Sequence, residues 1–453
     1  MSDSSSGTQI AIRHEEESMN QVKPLSFARY GSEKMFFDSR MGPQALHHNE
    51  VIYIVYQANE QGIAAHPHMI AYNCITRSWS KPVKLGENPA EYDHHFAPIL
   101  WIDANERLHV LYGCHLTPGT HLVSRKPREI EEWEEGPPIA KSISYPTVVQ
   151  ASDNRHVLFY RALGHLGFWN FRVSNDGGFS WSSAKRLIDF DRDPRDDNDA
   201  DSWAGSYPSV SAGVDGRSLH IGFVYFDERK RKHPFYTIRP RSRTRYNLYY
   251  LRLDIDSGEI YNIDGDKVAT PVNRGQAERT CLVWDTGHEL SNMPSVTIDQ
   301  QNNPYFLLPV SDQSPWRSRF YFVARRNGKW ERVPLIDTNN TWAGCLLQAD
   351  GLKNFIAYMV SGDPKDETLF YSGGLIEKWH SGDGGVTWHR EQVLVPEPGL
   401  LYSNPKPVHR SGGGYLKDHV LFFGWNGPGS IEADASPLRN RGRAYLWANG
   451  QWL

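Results

Sequence analysis

Seven times along the chain, a short apolar strand is followed by a polar turn of Asp, Asn or Gly and then by a second apolar strand that ends in or near an aromatic residue. The copies read PQALHHNEVIYIVYQ from Pro43, PILWIDANERLHVLYG from Pro98, PTVVQASDNRHVLFYR from Pro146 and PSVSAGVDGRSLHIGFVY from Pro208. They continue with PSVTIDQQNNPYFLLP from Pro294, AGCLLQADGLKNFIAYM from Ala343 and PKPVHRSGGGYLKDHVLFFGW from Pro405. Apolar and polar positions alternate with the period of two that strands require, and a second hairpin follows each copy, as in FYFVARRNGKWERVPLI and AYLWANGQWL. Seven copies spaced by about 60 residues, each with four short strands, predict an all-β fold: a seven-bladed β-propeller of four-stranded antiparallel blades. The expected division is a loosely attached or disordered segment over 1–24 and a single domain over 25–453.

Two segments repeat the pattern S-x-D-x-G-x-x-W: Ser174, Asp176, Gly178, Trp181 and Ser381, Asp383, Gly385, Trp388. These Asp-box turns are expected between outer strands, where Asp collects backbone donors, Gly takes positive φ and Trp fills the space between blades. They speak for the fold and not for a function.

Composition narrows the class. With 39% hydrophobic and 12% aromatic residues the chain can bury a large interior, and 38 Gly and 28 Pro suit many short strands. A net charge of −4 argues against nucleic-acid binding driven by bulk charge. No stretch reaches the apolar length of a membrane span, and the first 20 residues lack the apolar core of a signal peptide. The four cysteines, Cys74, Cys114, Cys281 and Cys345, show no disulfide framework. A basic stretch over 229–245 reads as a loop that steers an anionic polymer or as a solvated insertion, and the acidic stretch Asp189 to Asp201 as a solvated loop without EF-hand spacing.

Candidate chemistry gathers in one sector. His95 precedes the anchor Pro98, His115 ends the following strand, Tyr160 and Arg161 end the corresponding strand of the third copy, and Arg172 opens the strand before the first Asp box. Strand ends from different blades converge on one rim, and His, Tyr and Arg together suit acid–base chemistry on an anionic sugar. His109 and His156 recur at equivalent places and read as packing residues.

The segments D-x-H-x-x-P (Asp93, His95, Pro98), HVLYGCH, SYP and FYR ahead of the first Asp box resemble the BNR-repeat polysaccharide lyases, among them the ulvan lyases of polysaccharide lyase families 24 and 25 and the rhamnose–glucuronate lyases. The resemblance implies a lyase that cleaves a rhamnose–uronic acid linkage by β-elimination and leaves a 4,5-unsaturated uronate. It implies Tyr160 as combined base and acid, His95 and His115 as the histidine pair, and Arg172 on the substrate carboxylate, with Arg161 as the fallback. Tyr145, Arg161, Tyr225 and Arg239 are expected to bind substrate. No cofactor is required for catalysis; a structural zinc, as in the ulvan lyases, would fall on Cys281, His288, Cys345 and His233. The implied partner is an acidic polysaccharide or oligosaccharide of uronic acid and rhamnose, met by a monomer without nucleic acid or membrane. Such a substrate suggests secretion or a periplasmic location. An exo-acting lyase on gum arabic-type side chains, a lectin-like propeller and a sialidase-like propeller stand as alternatives, although the R-I-P segment expected of a sialidase is missing and no facing carboxylate pair stands at the strand ends.

Overall fold

Period-two alternation is realised as antiparallel strands almost throughout. The structure, a computed structural model, describes residues 26–31, 35–59, 65–88, 94–152, 154–163, 167–190, 203–229, 242–287, 289–314, 317–338, 344–362, 373–425 and 442–453. Among these the only helices are Arg274–Thr280 and a single turn, His94–Phe96. Arg239, His233, His288, Ala343 and residues 1–24 lie outside the described residues, as does most of the basic stretch.

The strands form six hydrogen-bonded sheets. Six of the seven anchors lie on, or within two residues ahead of, a strand that lines one central cavity: Ala45–His48, Ile99–Ile102, Ile143–Ser152, Trp203–Ala212, Ser295–Ile298 and Leu401–Arg410. Cys345–Asp350, just after Ala343, is the seventh lining strand. Each packs beside the next, and the last returns to the first. From each, further strands step outward in antiparallel register.

The sheets are not uniformly four-stranded. Parallel pairing of Leu46 with His409 and of His47 with Arg410 fuses the first and last groups into one ten-stranded sheet. The short strand His115–Thr117 adds a fifth to the third group, and Ile260–Tyr261, Lys267–Val268 and Leu282–Trp284 enlarge the fourth to six. Ala28 and Arg29 pair with Ala444 and Arg443, so a strand from near the chain's start completes its last group.

The Ser-Asp-Gly-Trp segments are tight turns. In the first, Ser174 Oγ accepts from Gly178 N (2.8 Å), Asp176 Oδ1 accepts from Ser180 N (2.9 Å) and Trp181 Nε1 donates to the Gly178 carbonyl (3.0 Å). Gly178 has φ +110°, and a Cβ there would stand 2.6 Å from Trp101 Nε1, so both backbone and space demand glycine.

Candidate active site

The site is assembled where several lining strands begin. His95, in the turn ahead of Ile99–Ile102, lies with its ring centroid 4.3 Å from that of His115. Both face Tyr145, at 5.3 and 6.0 Å. Tyr145 is there because the register of its strand slips between Ser144 and Thr147, a bulge that holds this fully buried residue at φ +54°. A bulky side chain in the left-handed region costs on the order of 1–3 kcal/mol, and such strain concentrates at functional sites.

On the far side of Tyr145 stands Tyr207, buried, its ring 5.8 Å away and edge-on. Three guanidinium groups surround the pair. Arg161 lies 4.5 Å from the Tyr145 ring centroid and 5.1 Å from that of Tyr207; Arg245 lies 4.3 Å from Tyr207; Arg40 lies 4.5 Å from Tyr145 and 5.9 Å from Tyr207. Arg40 Nη1 also reaches the Tyr145 hydroxyl at 3.4 Å. Arg161 is 2% exposed, and its Nε and Nη2 have no hydrogen-bond partner among the described residues. A buried fork with unused donors is matched by a planar anion such as a carboxylate.

The environments drive the two phenols apart. Burial alone would raise Tyr207, but Arg161, Arg40 and Arg245 overcome it and bring the phenol down to about 7. Burial, and then the charge on Tyr207, push Tyr145 above the ordinary tyrosine value. The guanidinium charge thus favours the ionised form of Tyr207, and burial the protonated form of Tyr145.

Tyr160 and Arg172 meet each other instead. Arg172 Nε donates to Tyr160 Oη at 3.3 Å, and its Nη1 donates to the Ser182 carbonyl. In Arg155–Arg161 successive side chains alternate faces, and it is Arg161 whose guanidinium lies over the Tyr145 and Tyr207 rings. The strand's alternation thus brings Arg161, the alternative clamp, to the Tyr145–Tyr207 pair, while Tyr160 and Arg172 pair with each other. Tyr225 is buried under Arg274, whose guanidinium is 3.9 Å from its ring centroid, next to Tyr246.

Of the expected zinc set only Cys281 and Cys345 lie among the described residues. Cys281 ends the helix, with Sγ 3.3 Å from Thr280 Oγ1, whereas Cys345 donates to the Leu307 carbonyl at 3.3 Å and packs on another core cluster. Burial pushes both thiols up. Asp38, His94 and His95 do converge, but the Arg40 guanidinium bonds both Asp38 and His94, a cation where a metal would need to sit.

Sequence reasoning missed Arg40, Arg245 and above all Tyr207. Its signal was present: Ser-Tyr-Pro occurs at 144–146 and again at 206–208, in the same place relative to the anchor proline.

Comparison with known proteins agrees with this architecture. The chain is 25% identical over 430 residues to an ulvan lyase of Nonlabens ulvanivorans, covering 85% of this chain and 86% of that protein. It is 26% identical over 295 residues to an ulvan lyase of Alteromonas sp. (strain LOR), covering 59% of this chain and 57% of that one. A solved family PL25 ulvan lyase bound to -[GlcA(1-4)Rha3S]- shares the fold, with a TM-score of 0.76, 18% identity and coverage of 96% and 97%. A family model described as a BNR repeat-containing family member matches residues 53–338. That match spans more than half of the sequence, and the chain belongs to the BNR repeat-containing family.

Proposed function

We propose that this chain is a polysaccharide lyase that cleaves a rhamnose–uronic acid linkage of ulvan type by β-elimination, on a seven-bladed β-propeller whose blades are the seven outward-stepping groups of strands. The observation that carries the reading is the buried Tyr145–Tyr207 pair under Arg161, whose Nε and Nη2 await an anion. The named relatives support the substrate class.

Removing the C5 proton of a uronate places negative charge on its carboxylate. Arg161 offers the planar fork that stabilises this charge, and a preorganised cation in a dry site is often the largest catalytic contribution. Tyr207, as phenolate, takes the C5 proton. The electron pair of that C–H bond forms the C4–C5 double bond as the C4–O4 bond breaks, and Tyr145, still protonated, donates to the departing O4. Proton exchange between the two hydroxyls and solvent restores the pair. His95 and His115, against the Tyr145 ring, orient the sugar by hydrogen bonds. The scheme draws on side chains alone.

The test is incubation with ulvan, gum arabic and other uronate polymers while ultraviolet absorbance of the unsaturated product is followed. Absorbance establishes a lyase. Reducing ends without absorbance identify a hydrolase, and binding without either a lectin; both overturn the reading.

A further inference from the structure

The segment Met35–Met41, ahead of the first lining strand, is clamped from several sides. Asn404 Nδ2 donates to the Phe37 carbonyl at 2.9 Å, and Lys406 Nζ donates to the carbonyls of Ser39 (2.8 Å) and Met41 (2.7 Å). Within it, Asp38 is 1% exposed. Its Oδ1 accepts from both the backbone N and Nε of Arg40, each at 2.8 Å, and its Oδ2 accepts from Arg40 Nη2 at 2.5 Å. This two-pronged grip fixes the plane of the guanidinium, which then lies over Tyr145. His94 Nε2 holds the same Nη2 at 2.9 Å.

We propose that Asp38 is a positioning residue, which acts through Arg40 to hold a third guanidinium over the Tyr145–Tyr207 pair. This rests on the reading of that pair as the proton-transfer groups. A long, flexible arginine placed by the chain's N-terminal segment would otherwise be free to turn toward water or toward the substrate. Burying the carboxylate that pins it is costly unless the ion pair is complete, as it is here. The charged and titratable groups facing the arrangement are Arg161, Arg245 and Tyr207 on one side of Tyr145, His95 and His115 on the other, and Asp38, His94 and Lys406 around Arg40.

The sign of one pH shift separates positioning from plain charge. Deleting the Asp38 charge with Arg40 left in place would ease ionisation of the tyrosines and move the acid limb of kcat to lower pH. Loss of Arg40 from its station moves that limb to higher pH. In Asp38→Asn we therefore expect kcat to fall at least tenfold and the acid limb to rise by about one unit. Arg40→Met should shift the limb the same way, and the double variant should add little to either, since both changes remove one interaction. An acid limb that moves down, or stays in place in Arg40→Met, overturns the proposal. Should these variants not fold, Arg40→Lys keeps the ion pair but not the fork; a tenfold loss of kcat at unchanged melting temperature is expected, and turnover within twofold of the parent overturns the proposal. A parent protein that releases no unsaturated uronate from any polymer fails the functional reading itself, which distinguishes the two outcomes.

Discussion

At the scale of single residues, what decides the chemistry is which hydroxyl can part with its proton. Tyr207→Phe keeps the ring between Arg161 and Arg245 and removes only the group brought down to about 7, so folding should survive while kcat falls by about 10²–10⁴-fold. Tyr160→Phe removes a hydroxyl that accepts from Arg172 on the other face, and turnover should stay within about threefold of the parent; the two variants, assayed side by side, discriminate the assignments. Activity needs the Tyr207 phenolate, so kcat/KM should drop as pH falls through about 7, and should drop again in strongly alkaline solution as Tyr145 loses its proton. A flat profile between pH 6 and 8 would count against a tyrosine base. His95 and His115 were legible as neighbours because they flank the paired strands of one copy, the second. Tyr145 and Arg161 were named from the sequence for substrate, but their place over Tyr207 was not legible, because the aim of Tyr145 comes from a bulge that the letters do not carry.

At the scale of elements, buried histidines cross-brace the second group of strands and, with others in the third and fourth, make the fold sensitive to acid. His121 Nδ1 lies 3.0 Å from the Pro137 carbonyl and its Nε2 3.0 Å from His109 Nδ1, while His109 Nε2 stands 3.5 Å from Asp103. Trp101 stacks on both rings, at 5.1 and 5.2 Å. Burial lowers His121, His156 and His220 to about 4. A histidine lowered in the folded state takes up its proton first in the unfolded chain. Stability is therefore whole above pH 6.5 and is lost as pH falls toward 4, by up to about 3 kcal/mol for each group. Melting temperatures measured from pH 7 to pH 4.5 should fall steadily, and His121→Gln should make the curve shallower even if it melts lower at pH 7. The sequence already marked His109 and His156 as packing residues from their equivalent positions, and the strands and Asp-turns were equally legible from alternation and spacing. The places of the two cysteines were not, since nothing in a spacing of many tens of residues shows that Cys281 caps a helix while Cys345 lines the cavity.

At the scale of the whole molecule, the repeats carry the architecture and the exceptions carry the closure. A ring of strand groups has one seam, where the chain's beginning must meet its end, and a seam without covalent continuity is the weakest joint of such a ring. Here the seam is bridged three times: by the parallel pairs Leu46–His409 and His47–Arg410, by Ala28 and Arg29 on the final group, and by the side chain of Phe27. Phe27 donates its backbone N–H to Ala444 O at 3.0 Å, and its ring stacks on Trp79 at 5.6 Å and meets Tyr56 edge-on at 5.7 Å. One residue thus joins the last group, through its backbone, to the first, through its ring. These additions escaped the sequence reading because two-residue strands have no period to detect. Phe27→Ala removes both ring contacts and leaves the backbone pairing without its side-chain anchor, at a cost of about 2–4 kcal/mol for a half-buried aromatic. The expected result is a clear drop in melting temperature with kcat at low temperature nearly unchanged, because Phe27 touches none of the groups around Tyr145 and Tyr207. A comparable truncation away from the seam, Val386→Ala on an exposed turn, should leave melting within a degree or so of the parent, since an exposed valine contributes little burial. Equal melting temperatures for the two variants would show that the seam does not limit the ring's stability.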